Sequence, residues 1–384
     1  MEPIYLDHAS TTPVHPEVVK VMIPLLEEVY GNPSSIHHFG RKARHILDES
    51  RKVAALSIGA QEKSITFTSG GTEADNLALI GIAQANKHRG NHIITTTIEH
   101  HATLHTAEFL EKQGFRVTYL PVLENGQINV SDLKAELTDE TILVSVMAVN
   151  NETGTIQPIE EIGAILADHR AYFHSDAVQA YGLLPLDVDE LGVDLLTVSS
   201  HKINGPKGVG FLYIRDKVVI DSLQFGGQQE RKRRPGTENV AGIVGFKKAI
   251  ELVDKEREQR VNSYQSYKQL FIETLEKDKV DFKINGDITK SVAAIVNISF
   301  PGTNVESLLT NFDLSGIAAS SGSACTAGSV EPSHVLSAMY GSENPRTINS
   351  IRFSFGLANS EDDIIDAAKR VSMIVKRLVN QIDK

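Results

Sequence analysis

The sequence predicts an α/β protein whose mostly parallel sheet is sandwiched by helices and accompanied by a smaller α+β unit. Short runs rich in β-branched residues alternate with helical patterns between residues 64 and 200, which is typical of a parallel sheet covered on both faces. From residue 240 the pattern changes to a long, charged helical stretch followed by short strand-like runs. A chain of 384 residues, 41% of them hydrophobic, is also long enough for two domains.

The alternation assigns the elements in chain order. Predicted strands of the larger unit cover residues 64–68, 92–97, 116–120, 142–146, 171–175 and 195–199, and predicted helices cover 72–85, 102–113, 130–136 and 159–168. The smaller unit is expected to contain strands at 282–284, 294–299 and 351–354 and a final helix from residue 360. We therefore expect a large domain over residues 16–258 and a small domain formed by residues 1–15 together with 259–384.

Composition limits the classes of function. The net charge of −11, from 38 basic and 49 acidic residues, argues against direct binding of nucleic acid, because duplex-binding proteins usually carry a basic face. The first residues lack the basic and apolar regions of a signal peptide, and no apolar stretch approaches the length of a membrane span. The one cysteine, Cys325, excludes an internal disulfide and is typical of a reducing compartment. We expect a cytoplasmic protein without membrane contact.

A lysine and an acid follow two of the predicted strands. An apolar run over residues 194–200 leads into His201 and Lys202, where a glycine-rich turn begins. Apolar surroundings lower the pKa of a lysine, and the neutral amine can form a Schiff base with an aldehyde. Another short run ends on Asp176, with Gln179 three residues later. A lysine at one strand end, and an acid at another that faces a pyridinium nitrogen, are what a pyridoxal phosphate enzyme needs.

A glycine-rich turn over residues 68–73 (TSGGTE) joins a predicted strand to a helix. Its glycines let backbone N–H groups approach an anion, and the helix N-terminus adds partial positive charge. Gly71 and Thr72 are therefore candidate phosphate ligands, with Ser199 and His201 as further donors. A simple helix cap at Thr72 is the alternative. No Gly-Lys-Ser/Thr follows, so the turn is not a nucleotide P-loop.

Three histidines follow the strand predicted at 92–97. His101 and His105 are four residues apart and could share a helix face as metal ligands, but neither a cysteine nor a Glu-x-x-His signature accompanies them. We favour ordinary surface roles for both and expect no metal. His100 is expected at the carboxyl end of the strand, stacked on a planar cofactor and available for proton transfer. A polar residue at a helix start is the alternative for His100.

Four other residues are candidates because of their position and chemistry. Asn151, in an Asn-rich turn, could contact cofactor or substrate, although such turns are often only turns. Thr237 follows the basic run 231–234, which is typical of a solvated surface, and could add a hydroxyl to the phosphate. Arg352, on a predicted strand, could grip a substrate carboxylate, with an internal salt bridge as the alternative. Cys325 lacks apolar neighbours, and exposure in a positive environment would favour thiolate chemistry; a buried small hydrophobe is the alternative.

These residues together resemble the cysteine desulfurases of the class V aminotransferase family, which have the fold type I architecture of pyridoxal phosphate enzymes. The resemblance runs over essentially the whole chain, and the order and spacing of its segments are highly specific. The matching segments are residues 5–13 (YLDHASTTP), 31–35 (GNPSS), 69–76 (SGGTEADN), 99–100, 150–152 and 320–326 (SSGSACT), together with Asp176, Gln179, His201 and Lys202.

The resemblance implies a role for each candidate. Lys202 would carry pyridoxal 5′-phosphate covalently and move protons, Asp176 would keep the pyridine nitrogen protonated, and Gln179 would contact the ring oxygen. His100 would stack on the ring and act in acid–base steps, and Cys325 would accept the sulfur of L-cysteine as a persulfide, leaving L-alanine. The remaining roles are phosphate binding by Gly71, Thr72, Ser199, His201 and Thr237, the last from across a dimer interface, and substrate orientation by Asn151 and Arg352.

The resemblance also implies a sheet of the seven-stranded type, a homodimer, a long mobile loop around Cys325 within the small domain, and a sulfur-acceptor protein. Better-known members continue beyond the last helix with a tail that helps dock an iron–sulfur scaffold, and the shorter end here leaves a tRNA-thiolation enzyme as the rival acceptor. Pro235 stands where the family more often has a small residue. An aminotransferase or selenocysteine lyase of the same fold, and a sulfur carrier without cofactor, are the alternative functions.

Overall fold

The structure is a computed structural model that describes residues 2–321 and 332–382. Its strands are β1 (Ile4–Tyr5), β2 (Ile65–Thr68), β3 (His92–Thr96), β4 (Arg116–Leu120), β5 (Thr141–Ser145), β6 (Tyr172–Asp176), β7 (Leu195–Ser199), β8 (Gly210–Ile214), β9 (Lys283–Ile284), β10 (Ile295–Ser299), β11 (Ile317–Ala318) and β12 (Ser350–Ser354). Its α-helices are α1 (Pro16–Glu27), α2 (His38–Leu56), α3 (Gly71–Asn86), α4 (His101–Lys112), α5 (Val130–Glu136), α6 (Ile159–Leu166), α7 (Val240–Lys277), α8 (Val305–Leu314), α9 (His334–Tyr340) and α10 (Glu361–Ile382).

A seven-stranded sheet forms the centre of the larger unit, in the order β2-β8-β7-β6-β5-β3-β4. The strands from β4 to β7 pair in parallel, whereas β8 runs antiparallel to both β7 and β2. Every residue of β5 and β7 is buried, as expected for strands covered by helices on both faces. The predicted fold class is therefore confirmed, and every strand predicted for this sheet lies within one or two residues of its observed bounds.

The smaller unit contains an antiparallel sheet in the order β12-β10-β9 and a separate parallel pair of β1 with β11. The pairing of β1 brings the N-terminal segment beside residues more than three hundred positions later in the chain. The helix α7 continues through residues 258 and 259. The division into residues 16–258 and residues 1–15 with 259–384 therefore places its boundary inside one helix, and it stays a prediction.

A buried ion pair fixes the turn that precedes α7. Glu230, Arg231 and Lys232 have φ values of 44°, 55° and 67°, a left-handed run that costs energy for residues with a Cβ. Arg51 donates two hydrogen bonds to the Glu230 carboxylate, at 2.6 and 2.7 Å, and the backbone N–H of Phe67 donates a third at 2.9 Å. These contacts tie the strained turn to α2 and β2.

We expect Glu230→Gln to lower the free energy of unfolding by about 3 kcal/mol, because it leaves the Arg51 charge buried without a counter-ion. Urea denaturation followed by far-UV circular dichroism measures the change. Asp216→Asn is the matched control, since the Asp216 ion pair with Lys63 is exposed and exposed pairs contribute little. Equal unfolding midpoints for both variants would contradict a structural role of the Glu230 ion pair.

Candidate active site

A cavity of about 310 Å³ lies at the carboxyl ends of β6 and β7, beside the N-termini of α3 and α4. This is the edge at which ligands collect in parallel α/β sheets. Of the residues predicted to form a site, those that line the cavity are Gly71, Thr72, His100, Asn151, Asp176, Gln179, Ser199, His201, Lys202 and Arg352.

Lys202 lies on a single 3-10 turn, Ser200–Lys202, that directly follows β7. Its Nζ donates hydrogen bonds to the backbone carbonyls of Ala9 and of Ser10, the latter at 2.8 Å. Burial is the main cause that lowers the pKa of Lys202 to about 7, and the positive charge of Arg352 lowers it further. A lowered pKa increases the fraction of the amine that is neutral, and nucleophilic, at neutral pH.

Asp176 is the last residue of β6, and its Oδ1 accepts a hydrogen bond of 2.8 Å from the backbone N–H of Val178. Burial raises the pKa of Asp176 to about 6, against the opposing effects of that hydrogen bond and of Lys202. The carboxylate remains mostly ionised at neutral pH, so it can hold a proton on a basic ring nitrogen. Gln179 donates to the Ala9 carbonyl at 2.8 Å, the same oxygen that Lys202 contacts.

The end of the cavity at the start of α3 is suited to an anion. Gly70 has φ of 150°, and a Cβ added at Gly71 would lie 2.9 Å from a methyl group of Val178. A side chain at position 71 would therefore force Val178 or the turn to shift. The hydroxyl of Ser199 is buried and has no hydrogen-bond partner among the described residues. The helix N-terminus and this unpaired donor fit a phosphate group.

His100 is the N-cap of α4, where its Nδ1 accepts a hydrogen bond of 3.1 Å from the backbone N–H of Ala102. The helix-cap alternative is thus correct for its backbone position, while its ring also lines the cavity. Burial, followed by the charge of Lys202, lowers the pKa of His100 to about 4. A neutral ring at that place can stack on a flat ligand. His201, which hydrogen-bonds to Thr11 at 3.1 Å, has its pKa lowered to about 4, mainly by burial.

Arg352 adds a positive charge to the lining of the same cavity. It lies on β12, is 3% exposed, and donates through Nη1 to the backbone carbonyl of Asn151 at 2.8 Å. Its Nη2 forms an ion pair with Asp7 at 2.9 Å, so the internal salt bridge considered from the sequence is present. Its Nε and the side-chain oxygen of Asn151 are buried without a partner among the described residues. Nε is thus a donor without an acceptor, and the Asn151 oxygen is an acceptor without a donor.

Two buried carboxyl groups near the site were not predicted. Asp75, in the first turns of α3, lines the cavity, and burial followed by the charge of Asp176 raises its pKa well above the usual range. Glu99 accepts hydrogen bonds from Thr96 at 2.7 Å and from the Met147 N–H at 3.0 Å, and burial raises its pKa to about 8. The position of Asp75, in the helix after the glycine-rich turn, could have indicated that it lies near the site. Nothing in the sequence indicated that Glu99 is buried.

Three residues named in the sequence analysis are not found in their expected places in the structure, or lie outside the part that it describes. Thr237 is exposed and does not line the cavity, and Cys325 lies outside the described residues. The surface role expected for His101 is not confirmed, because its ring packs 5.0 Å from that of His105 and 4.8 Å from that of His334. The described part of the chain contains no group of three or more acidic, histidine or cysteine side chains arranged to hold a metal ion.

Comparison with known proteins identifies the class. The family model described as Aminotransferase class-V matches residues 4–366, and the chain belongs to this family, whose members are pyridoxal phosphate enzymes. Within the family its relatives are cysteine desulfurases. A putative cysteine desulfurase IscS 1 of Bacillus subtilis is 57% identical over 98% of this chain and 100% of the relative. Cysteine desulfurase IscS of Methanosarcina thermophila is 49% identical over 98% of this chain and 93% of the relative.

Comparison with solved structures supports the same family and fold. A NifS-like protein superimposes with a TM-score of 0.92 at 34% identity, covering 98% of this chain and all of the other. A structure described as SspA in complex with cysteine gives a TM-score of 0.82 at 34% identity, over 91% of this chain and 98% of that one. The predicted family and fold type I architecture are therefore confirmed. No helix in the part of the chain that the structure describes is long and apolar enough to cross a membrane.

Proposed function

We propose that this chain is a cysteine desulfurase that converts L-cysteine to L-alanine and holds the released sulfur as a persulfide on Cys325. The observation that carries the proposal is one cavity that joins a buried lysine of lowered pKa, a buried aspartate and a buried arginine. The lysine and aspartate suit a pyridoxal cofactor, and the arginine suits an α-carboxylate. The relatives named as cysteine desulfurases support the substrate.

The residues present fit pyridoxal 5′-phosphate. Gly71, Thr72 and Ser199 would hold the phosphate, with His201 nearby, His100 would cover the ring, and Gln179 would reach the ring oxygen. Asp176 would hold the proton of the pyridine nitrogen, and Lys202 would hold the aldehyde carbon. When bound, the cofactor supplies a conjugated cationic ring that accepts the electron pair released at the α-carbon of an amino acid.

The residues of this chain position the substrate and move its protons. Arg352 would bind the α-carboxylate through its N–H donors, and Asn151 would help to orient the amino acid so that its α-hydrogen lies within reach of Lys202. With a pKa near 7, the Lys202 amine can accept the α-proton and later return it to carbon. An ionised Asp176 would keep the proton on the ring nitrogen, so that the electron pair left by removal of the α-proton could be accepted by the bound cofactor.

Sulfur transfer is assigned to Cys325. Its thiolate would attack the substrate sulfur, so that a new S–S bond forms as the C–S bond of cysteine breaks. The electron pair of the broken bond stays with carbon, which takes up a proton, and the product leaves as L-alanine. The persulfide retains the sulfur for a later acceptor. No external oxidant is needed, because the two electrons given up by the sulfur remain on the β-carbon, which is reduced to the methyl group of alanine.

We expect Cys325→Ala to retain cofactor binding, seen as the yellow absorption band, while persulfide formation falls to background. The measurement incubates the purified holoprotein with L-cysteine and determines alanine, keto acid and protein persulfide together. Wild-type protein should form alanine and persulfide in equal amounts. Sulfide or persulfide production by Cys325→Ala equal to wild type would refute the role of Cys325. Formation of 3-mercaptopyruvate, the keto acid of cysteine that keeps its thiol, in place of alanine would favour the aminotransferase alternative.

The functional unit is proposed to be a homodimer. Large apolar side chains are exposed along α1 and the segment after it, among them Leu26 at 70%, Tyr30 at 75% and Ile36 at 91% exposure. Phe225 is 97% exposed in the segment that leads to Thr237. Apolar patches of this kind mark protein interfaces, and a second copy placed there would allow Thr237 to reach the phosphate of the neighbouring site. Sedimentation equilibrium of wild type and Phe225→Asp tests this arrangement.

The acceptor of the persulfide sulfur is proposed to be another protein, either an iron–sulfur scaffold or a tRNA-thiolation enzyme, in the cytoplasm. The relatives named IscS support the first of these. The net charge of −11 favours delivery to a protein acceptor over direct contact with nucleic acid. Pull-down with persulfide-loaded protein distinguishes the two acceptors.

A further inference from the structure

The N-terminal segment 7–10 contacts both functional cations of the site. Arg352 Nη2 donates to Asp7 Oδ1 at 2.9 Å and to Ser10 Oγ at 2.6 Å, and Ser10 Oγ in turn donates to the same Asp7 oxygen at 2.8 Å. The amine of Lys202 donates to the carbonyls of Ala9 and Ser10. One short turn therefore provides acceptors for the amine that would bind the coenzyme and for the guanidinium that would bind substrate.

The hydrogen bonds that Arg352 already makes determine which of its N–H groups a substrate carboxylate could use. A guanidinium has five N–H donors in a planar fork. Both N–H groups of Nη2 are used, by Asp7 and Ser10, one N–H of Nη1 is used by the Asn151 carbonyl, and Nε has no partner among the described residues. A bidentate carboxylate needs two neighbouring nitrogens. It can use the free Nε together with Nη2 only if Nη2 gives up one of its present acceptors.

The charge of Asp7 also opposes the binding of a substrate carboxylate to Arg352. The Asp7 side chain is 20% exposed and that of Arg352 is 4% exposed, so the pair is only partly screened by water and its charges largely cancel. A substrate carboxylate approaching Arg352 meets a guanidinium whose charge is already compensated. Asp7 also acts on Lys202, whose pKa it raises while Arg352 lowers it.

We propose that Asp7 is a positioning residue that competes with the amino acid's carboxylate for Arg352 and so sets the affinity of the site for its substrate. The inference rests on the proposed function, since it takes an α-amino acid as the ligand. Ser10 assists by holding the Asp7 carboxylate against Nη2. In the absence of substrate, the Asp7 carboxylate keeps the buried Arg352 guanidinium oriented. The same contact weakens the binding of a substrate carboxylate.

The test titrates holoprotein with L-alanine, the proposed product, and with ethylamine, which has the same carbon chain and amine but no carboxylate. The absorption change of the bound cofactor reports binding without turnover. We expect Asp7→Asn to bind L-alanine about tenfold more tightly than wild type, because the amide keeps the hydrogen bond but removes the competing charge. Ethylamine should bind wild type and Asp7→Asn equally. Ser10→Ala should tighten L-alanine binding to a smaller extent.

Two controls separate this role from a structural one. Asp366→Asn removes the carboxylate of another aspartate–arginine pair, with Arg370, that does not line the cavity, and it should leave both affinities unchanged. Thermal unfolding of each variant establishes that it is folded. Equal or weaker binding of L-alanine by both Asp7→Asn and Ser10→Ala, with ethylamine unaffected, would overturn the inference. Wild-type holoprotein that binds neither L-alanine nor L-cysteine would overturn the proposed function as well.

Discussion

Lys202→Ala is expected to lower the rate of alanine formation from L-cysteine by about 10⁴-fold, because it removes the group that both holds the coenzyme aldehyde and moves the α-proton. The structure places this amine, with its pKa lowered to about 7, in the cavity that Asp176 also lines. The measurement is alanine release under saturating cofactor. Borohydride reduction of the wild-type holoprotein should label Lys202, and the variant should remain unlabelled.

The pH dependence gives this prediction a second readout. The pKa of Lys202 is lowered from its usual value, so the fraction of neutral amine rises as the pH increases through about 7. Capture of pyridoxal phosphate by the apoprotein should therefore be slow at pH 5.5, increase around pH 7 and level off above it. Lys202→Arg keeps a charge without a nucleophilic amine and serves as the matched control. A capture rate that rises only near pH 10 would contradict the lowered pKa.

Asp176→Asn is expected to lower turnover by about 10³-fold, the scale on which removal of one preorganised charged partner acts. The amide keeps the size of the side chain and an acceptor for the Val178 N–H, but it no longer stabilises a protonated ring nitrogen. We expect cofactor binding to persist with an altered absorption spectrum. Comparison of alanine formation with cofactor content separates the chemical effect from simple loss of cofactor.

Asp194 offers the control for that substitution. It also accepts a backbone hydrogen bond, from Phe173 at 2.9 Å, and burial raises its pKa, but it does not line the cavity. Asp194→Asn should therefore leave the cofactor spectrum unchanged. If Asp176→Asn retained wild-type turnover and spectrum, the cofactor orientation proposed for this cavity would be wrong.

The strands of the central sheet were predictable because their two faces are both covered. Buried parallel strands are continuous apolar runs, and β5 and β7 are buried along their whole length. The strand β8 was missed, although it is equally buried, because it follows a glycine-rich turn and has no helix to separate it from β7. Its antiparallel pairing with β7 breaks the alternation on which the prediction depended.

The site was predictable where a residue's chemistry conflicts with its surroundings. Lys202, Asp176 and Arg352 are charged residues next to apolar runs, and such charges are costly unless they have a function or a partner. Asp75 is buried beside His174 of β6, and Glu99 is buried against Thr96 and the Met147 N–H. Local sequence patterns do not reveal such tertiary contacts. The ion pair of Asp7 with Arg352 joins residues 345 positions apart, and no local signal could have predicted it.

The pairing of β1 with β11 has a consequence for biosynthesis. Residues 9 and 10 are among the first to leave the ribosome, but the strand that anchors their segment, Ile317–Ala318, and Arg352 are translated after the whole seven-stranded sheet. A nascent chain can thus fold the larger unit around Lys202 before the pairing of β1 with β11 holds residues 9 and 10 beside the cavity. Because closing a loop of this length costs entropy and non-local pairing is slow, we expect the pairing of β1 with β11 to follow the folding of the larger unit.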